Sequence, residues 1–512
     1  MKKAQAYWPL ILLLAIVKFV LPLFLHSPVY ELHRDEYLYY AQGQHPALGF
    51  LENPPLLSLM ATISSWFGGS ESWVRLWPCL FGAATVVVTC LLAAELGGKL
   101  FAQFLAGLSL MTGAYMRIHF LFQPNFLDIF FWTLAVYFLV RYINTRNIRF
   151  MYWVSLSLAI GWWGKYSVLF MVVAIIAGLV LTKHRGVFLK WQTWVAILIG
   201  LVITLPNIAW QYLHNWPLLH HMNELQSTQL KYMDASGFIK DQLLMLLPVF
   251  FVWLTGLAWL LRHREYRIVG YLYLIVILLL VLGQGKSYYS LGAYPMLLAA
   301  GGVAIERFSV RRYWLRYAVA IVVIALGIIL IPVLLPVWKP ERLAAAYERR
   351  HLGKLGLLKW EDHKDHALSQ DFADMLGWKE MAEKTERFYH SLDDSSRSNT
   401  IIYCGNYGQA GALKYYGKDK AFKDRVITAN GSFLLWMPAD LHFGNLLLVD
   451  EELPQKGDKA YRWFRTVTLV DSVQNPYSRQ DGNKILYCKE ANSIGEQEMN
   501  GYIDKLKKQF AR

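Results

Sequence analysis

His26 to Ser70 is the first long break in the hydrophobicity of this chain, and inside it runs Glu31-Leu32-His33-Arg34-Asp35-Glu36-Tyr37. The break holds four carboxylates (Glu31, Asp35, Glu36 and Glu52), three histidines (His26, His33 and His45) and a Glu52-Asn53-Pro54-Pro55 turn. The apolar segments flanking it approach or exceed the ~20 residues that cross a bilayer. A charged loop between two such segments points to a mainly α-helical, polytopic membrane protein.

Working outward, the 512 residues are 55% hydrophobic and include 20 Trp, 30 Tyr and 27 Phe, too apolar and aromatic for an ordinary soluble enzyme. The apolar character stops after Trp338. Residues 339–512 carry 27 Lys+Arg and 25 Asp+Glu, against 24 and 12 in residues 1–338. That shift marks a boundary between a membrane module, 1–338, and a C-terminal soluble domain, 339–512. The basic excess belongs to the membrane module, where it records loop orientation rather than nucleic-acid binding. Trp8 to Leu25 follows Lys2 and Lys3 as a signal peptide would, but no small-x-small cleavage site follows it, so a retained first helix is expected.

Apolar runs predict eleven spans, near 8–25, 73–94, 100–116, 125–142, 150–163, 166–182, 192–212, 243–261, 268–284, 289–305 and 317–338. With the N-terminus inside, the cytoplasmic termini and loops collect 16 basic residues against three acidic ones, Glu95, Glu265 and Glu306. This is the positive-inside pattern. The opposite loops hold seven basic and nine acidic residues, and an odd number of spans exports residues 339–512 to the same side. There, a helix over Asp371 to Ser391 and short runs at Thr400 to Cys404, Phe433 to Trp436, Leu446 to Val449, Thr466 to Val470 and Lys484 to Cys488 predict a small α/β domain. Cys404 and Cys488 are candidates for a disulfide if that side is oxidising. Cys79 and Cys90 read as packing residues.

An ionisable residue at membrane depth costs roughly 2.5–3.5 kcal/mol and asks for a partner or a task. Here such residues gather toward one face: Asp35, Glu36 and Glu52 in the first loop, Asp128 opening the fourth span, Lys165 between spans five and six, His220 and His221, and Lys286 with Tyr288 and Tyr289. Each has a plain structural reading too. Asp35-Glu36 beside Arg34 suits a solvated loop end, Asp128 suits the positive end of a helix dipole, and the lysines can snorkel to headgroups. The functional readings are a general base in the Asp35-Glu36 pair, a metal or substrate ligand at Glu52 held by its rigid prolines, a metal ligand among the histidines, and phosphate contacts at the two lysines. No CxxC pair, Walker A loop or GxSxG elbow is present, so nucleotide hydrolysis and acyl-serine chemistry find no support.

Asp35-Glu36-Tyr37, Glu52-Asn53-Pro54-Pro55, Asp128, Gly164-Lys165-Tyr166 and the Lys286 to Pro295 run with Tyr288, Tyr289 and Tyr294 occur in that order on one face. In this the chain resembles the C-type (GT-C) glycosyltransferases, in the branch of the protein O-mannosyltransferases and lipid A aminoarabinose transferases, over residues 1 to about 310. The resemblance implies a sugar donor carried on a polyprenyl phosphate, inverting transfer to a lipid, glycan or protein acceptor, and a site on the outer face of the cytoplasmic membrane, among membrane lipids. It implies Asp35 as base, Glu52 as a metal ligand and Lys165 and Lys286 as phosphate contacts. The residues' own positions add Glu36 and Asp128 as further candidate catalytic carboxylates, Arg34, Tyr288 and Tyr289 as candidate substrate contacts, and His221 as a candidate ligand beside Glu52 for a divalent metal, the one cofactor to expect. The chain departs from the aminoarabinose transferases, which have an arginine soon after the Asp-Glu pair and a lysine between the later acid and the prolines, where Leu38 and Asn53 stand here. His214 to Asp241 is also too short for the large lumenal insert of the eukaryotic mannosyltransferases. The rival reading is a transporter or flippase of a lipid-linked or anionic substrate, which would favour midplane charges and a two-fold repeat.

Overall fold

Each of the eleven apolar segments folds as helix over most of its length in the computed structural model, which describes residues 5–228, 234–455 and 457–511. Lys2 and Lys3, and residues 229–233 of the loop from His214 to Asp241, lie outside the described residues. Six helical stretches are long and apolar enough to cross a membrane: Trp8–Leu25, Glu71–Glu95, Asn125–Thr145, Trp191–Leu213, Ser287–Arg311 and Trp314–Leu334. Two bent pairs, Val168–Val180 with Lys183–Leu189 and Ala235–Met245 with Leu247–Arg262, raise the number to eight if each is one span. The expected count of eleven is therefore not reached on length and apolarity. Leu100–Ser109 would rise only ~15 Å as an α-helix, and Arg149–Gly164 and Arg267–Leu282 ~24 Å, short of a ~30 Å hydrocarbon core.

Loops that the charge pattern assigns to one side meet one another at one end of the helices. Glu95 pairs with Arg141 and accepts from Asn144, Glu265 pairs with Arg146 and Lys183, and Glu306 accepts the backbone N–H of Lys99 and Ala102. Deeper in the bundle, Lys18 of the first span is buried, and its ammonium donates to the carbonyls of Leu110 (2.8 Å) and Tyr115 (3.0 Å). The Leu110 carbonyl is available because the Leu100–Ser109 helix gives way to turns there, while the Tyr115 carbonyl also accepts from the His119 N–H (3.3 Å).

At the other end sit the first loop and residues 339–511. The first loop contains two helices, Arg34–Gln42 and Leu56–Trp66. The C-terminal domain carries a five-stranded mixed sheet, from β1 (Thr400–Cys404), β2 (Val426–Ile427), β3 (Asn445–Asp450), β4 (Phe464–Ser472) and β5 (Lys484–Ala491), in the order β2-β1-β3-β5-β4. β1 runs parallel to both neighbours, and β5 antiparallel to both of its own. Successive side chains of a strand point to opposite faces. Ile402, Cys404, Leu447 and Val449 accordingly pack with Trp378, Met381 and Leu413, while Ile401, Leu446 and Cys488 pack with Met499 and Ile503 of the Ser493–Lys508 helix. Cys404 and Cys488 thus lie on opposite faces with β3 between their strands, and both thiols are free and buried, so the two do not pair. Phe433 to Trp436 is part of a 3-10 helix, Gly431–Trp436, instead of the expected strand. The expected helix from Asp371 is split, with Trp378–Ser391 restarting after Gly377, whose φ of +84° breaks the run.

One hydrophobic core runs through both parts. Tyr37, Leu38 and Ala41 of the first loop and Phe122, Phe126 and Phe131 of the membrane module share it with Trp378, Ala410, Leu413 and Leu447. Burial thus joins the C-terminal domain to the loop that carries Asp35.

Candidate active site

The Arg34–Gln42 helix begins with reciprocal caps. His33 Nδ1 accepts from the Asp35 N–H (3.2 Å), and Glu36 Oε2 accepts from the His33 N–H (2.6 Å). Such an arrangement satisfies amides that a helix start leaves unpaired. The other oxygen of Glu36, Oε1, accepts from the Phe122 N–H (2.5 Å), and the side chain is fully buried. Burial raises its pKa, offset by Arg75 and the two amides. Glu36 thus acts as a strut between the first loop and the next loop on the same side, with both of its oxygens engaged there.

Asp35, one position earlier, points the other way and keeps 32% of its side chain exposed. Its Oδ1 accepts from the hydroxyl of Tyr407 (2.8 Å) and its Oδ2 from Gln123 Nε2 (3.2 Å). Gln123 Oε1 in turn accepts from Asn125 Nδ2 (3.3 Å), and Asn125 Oδ1 accepts from Lys165 Nζ (2.7 Å). Lys165 occupies the extended break after Gly164, above the rings of Tyr289 (4.2 Å to the centroid) and Tyr288 (5.5 Å). Burial lowers its pKa to about 8, with Asp128 opposing the fall and Lys286 adding to it. Asp128 Oδ2 accepts from Ser167 Oγ (2.8 Å), while its buried Oδ1 has no hydrogen-bond partner among the described residues.

Lys286 precedes the 3-10 turn Ser287–Ala293. That turn is anchored by Ser287 Oγ on Asp241 (2.7 Å), and the Gln226–Gln284 bond (2.8 Å) ties the Pro217–Thr228 helix to the same loop. His221 lies on that helix, where burial lowers its pKa, Glu224 opposes the fall and Lys286 adds to it. Arg34 stacks its guanidinium over the Tyr407 ring (4.9 Å), and its buried Nε has no hydrogen-bond partner among the described residues. Behind it, His33 Nε2 faces Asp371 and Asp374, each at 3.9 Å. Burial opposes the protonated form of His33, but Asp35, Asp374, Asp371 and Glu36 together raise its pKa.

Glu52 is engaged elsewhere. Its Oε1 accepts from the Ser432 N–H (2.7 Å), and its Oε2 accepts from Ser432 Oγ (2.5 Å) and Gln42 Nε2 (3.1 Å). Among the described residues no three His, Cys, Asp or Glu side chains converge as a metal site would require. The donors present do not fit a preformed metal centre at Glu52 and His221.

Comparison with known proteins shows the fold and a partial likeness in sequence. The family model for dolichyl-phosphate-mannose-protein mannosyltransferases matches residues 52–210. A lipid A galacturonosyltransferase of Rhizobium johnstonii, RgtD, is 22% identical over 194 residues, 37% of this chain and 41% of that protein. The match therefore spans about two fifths of the length of this curated relative. ArnT of Cupriavidus metallidurans, crystallised with undecaprenyl phosphate, superposes at 13% identity with a TM-score of 0.62, over 94% of this chain and 98% of ArnT. Its apo form gives 0.59 over 94% and 97%.

What the superposition shows is an ArnT-like fold. Within it, Asp35, Asp128, Lys165, Tyr288 and Tyr289 come together, with Arg34 beside Asp35 and Lys286 near enough for its charge to act on Lys165. Sequence reasoning missed Gln123, Asn125, Tyr407 and Ser432. Gln123-Pro124-Asn125 is a polar step between apolar runs and was visible as such. Nothing in the sequence around Tyr407 or Ser432 marks either as a partner of the first loop.

Proposed function

We propose that this protein is a membrane glycosyltransferase that moves a sugar from a polyprenyl-phosphate donor to an acceptor hydroxyl, with inversion. The observation that carries the reading is the partly exposed Asp35 carboxylate, linked through Gln123 and Asn125 to the half-buried cation of Lys165. The acceptor oxygen attacks the anomeric carbon as the bond to the phosphate oxygen breaks. Asp35 takes the hydroxyl proton, and the lipid phosphate leaves with the bonding electrons. A base of this kind contributes ~100- to 10,000-fold. Lys165 and Lys286 neutralise the phosphate, Tyr288 and Tyr289 line its approach, and Asp128 holds Lys165 charged by its nearby carboxylate. No step is routed through a metal.

On this reading the site and the C-terminal domain lie on the outer face of the cytoplasmic membrane. Support comes from the charge bias of the loops, which also puts residues 1–338 in the bilayer module and 339–512 outside it. Support for the donor class comes from the likeness to ArnT, a protein crystallised with undecaprenyl phosphate. The acceptor is a lipid, glycan or protein bearing a hydroxyl.

The test is reconstitution in lipid vesicles with a panel of undecaprenyl-phosphate hexoses and pentoses, following release of undecaprenyl phosphate and the anomeric configuration of the product. Transfer with inverted configuration is expected from at least one donor. Sugar transfer with retention would overturn the single-displacement chemistry, and no transfer from any donor would overturn the reading as a whole.

A further inference from the structure

Both notable carboxylates of the first loop are held by hydroxyls from the far end of the chain. Tyr407 donates to Asp35 across 372 residues, and Ser432 donates to Glu52 across 380. The Tyr407–Tyr416 helix reaches this position by close approach. A Cβ on Gly408 would lie 2.7 Å from Arg34 Cγ, and one on Gly411 would lie 2.7 Å from Tyr37 Cβ. These two glycines let the helix press against Arg34–Gln42 more closely than any larger residue would allow. The start of the helix is itself fixed: Asn406 Oδ1 accepts from the Gln409 N–H (3.1 Å), and Asn430 Oδ1 from the Tyr407 N–H (3.2 Å).

We infer that Tyr407 is a positioning residue for Asp35, so that the C-terminal domain completes the active site of the membrane module. Gln123 grips one oxygen of the carboxylate from the membrane side and Tyr407 grips the other from the soluble side. The carboxylate plane is thereby set in one orientation toward the acceptor. Burial and the Asp35 charge hold the Tyr407 phenol far above its usual pKa, so it stays a donor throughout the working pH range. Misplacing a reacting group by ~1 Å can cost ~100-fold. The inference rests on the reading of Asp35 as base.

The experiment uses the full-length protein in nanodiscs, with the undecaprenyl-phosphate sugar that supports turnover as donor and undecaprenyl phosphate as the binding probe. Tyr407→Phe is expected to lower kcat by about 10- to 100-fold while undecaprenyl phosphate affinity and Tm stay near those of the wild type. Replacing Tyr407 with p-methylphenylalanine matches the volume of the phenol without its donor and should be equally slow, which covers a packing defect in Tyr407→Phe. Replacement with p-aminophenylalanine restores an N–H donor at the same place and should recover most of kcat. In an Asp35→Asn background Tyr407→Phe should cost less than about twofold, because the two act as one unit. Full multiplication of the two effects, or no rescue by the amino analogue, overturns the inference. A slow Asp35→Asn beside a fully active Tyr407→Phe removes only the positioning role. An Asp35→Asn enzyme with normal turnover removes the base reading and this inference with it.

Discussion

Asp35 and Lys165 stand at opposite ends of a single chain of three hydrogen bonds, through Gln123 and Asn125. An acid suited to taking a proton and a cation suited to a leaving phosphate are thus spaced by two neutral amides that orient both and titrate with neither.

Asp35→Asn preserves shape and removes the base. Turnover with a hydroxyl acceptor should fall ~100-fold or more, with donor affinity little changed. Glu36→Gln should behave differently. It leaves one buried N–H, of His33 or Phe122, facing an amide group that cannot accept, at a cost of about 1–3 kcal/mol. The expected result is a lower Tm with kcat of the folded fraction within about threefold of wild type. A stable but inactive Glu36→Gln protein would return Glu36 to the chemistry.

Lys165 sets a pH limit. Its ammonium is the form that binds phosphate, and burial lowers its pKa to about 8, so free-enzyme kcat/KM should fall as pH rises through about 8. Lys165→Arg remains cationic and should lose that limb, while Lys165→Ala should raise the donor KM at neutral pH by about 10- to 100-fold. A limb that persists unchanged in Lys165→Arg would assign it to another group.

How far the sequence led is clearest from these same residues. Asp35, Asp128 and Lys165 were legible because a charge beside apolar segments is conspicuous and costly. Gln123 and Asn125 were not, since neutral amides in a loop carry no such signal. Adjacency in sequence suggested that Asp35 and Glu36 act as a pair, yet consecutive helical residues point ~100° apart. One stays partly exposed and the other faces the protein interior. The helical segments were readable from apolar runs, but the traverses were not, because a run of apolar residues fixes neither a bend such as the one between Val168–Val180 and Lys183–Leu189 nor a short helix like Leu100–Ser109. Phe433 to Trp436 was too short for periodicity to tell strand from 3-10 turn.

Glu52 and Ser432 form a seam between the two parts of the chain. Ser432→Ala removes a charge-assisted hydrogen bond worth about 1.5–3 kcal/mol. Hydrogen exchange over residues 431–436 should speed up, and Glu52→Gln should add little in the Ser432→Ala background. Unaltered exchange in Ser432→Ala would show that the seam is held by apolar packing alone.

Residues 339–512 should be cleaved by protease added to intact spheroplasts, given the charge bias of the loops. Protection equal to that of a cytoplasmic control would invert the topology and move the site to the other face.

Lys18 has a consequence for biogenesis. Its two carbonyl partners, on Leu110 and Tyr115, lie 92 and 97 residues further along the chain. When the first helix leaves the ribosome its charge has nothing to bind, and a lysine at that depth costs roughly 2.5–3.5 kcal/mol. The apolar residues around Lys18 outweigh that cost, so the helix can enter the bilayer alone, but its ammonium meets its partners only once the segment after Ser109 has been made. The native seating of the first helix therefore depends on a stretch of chain that the ribosome has yet to make.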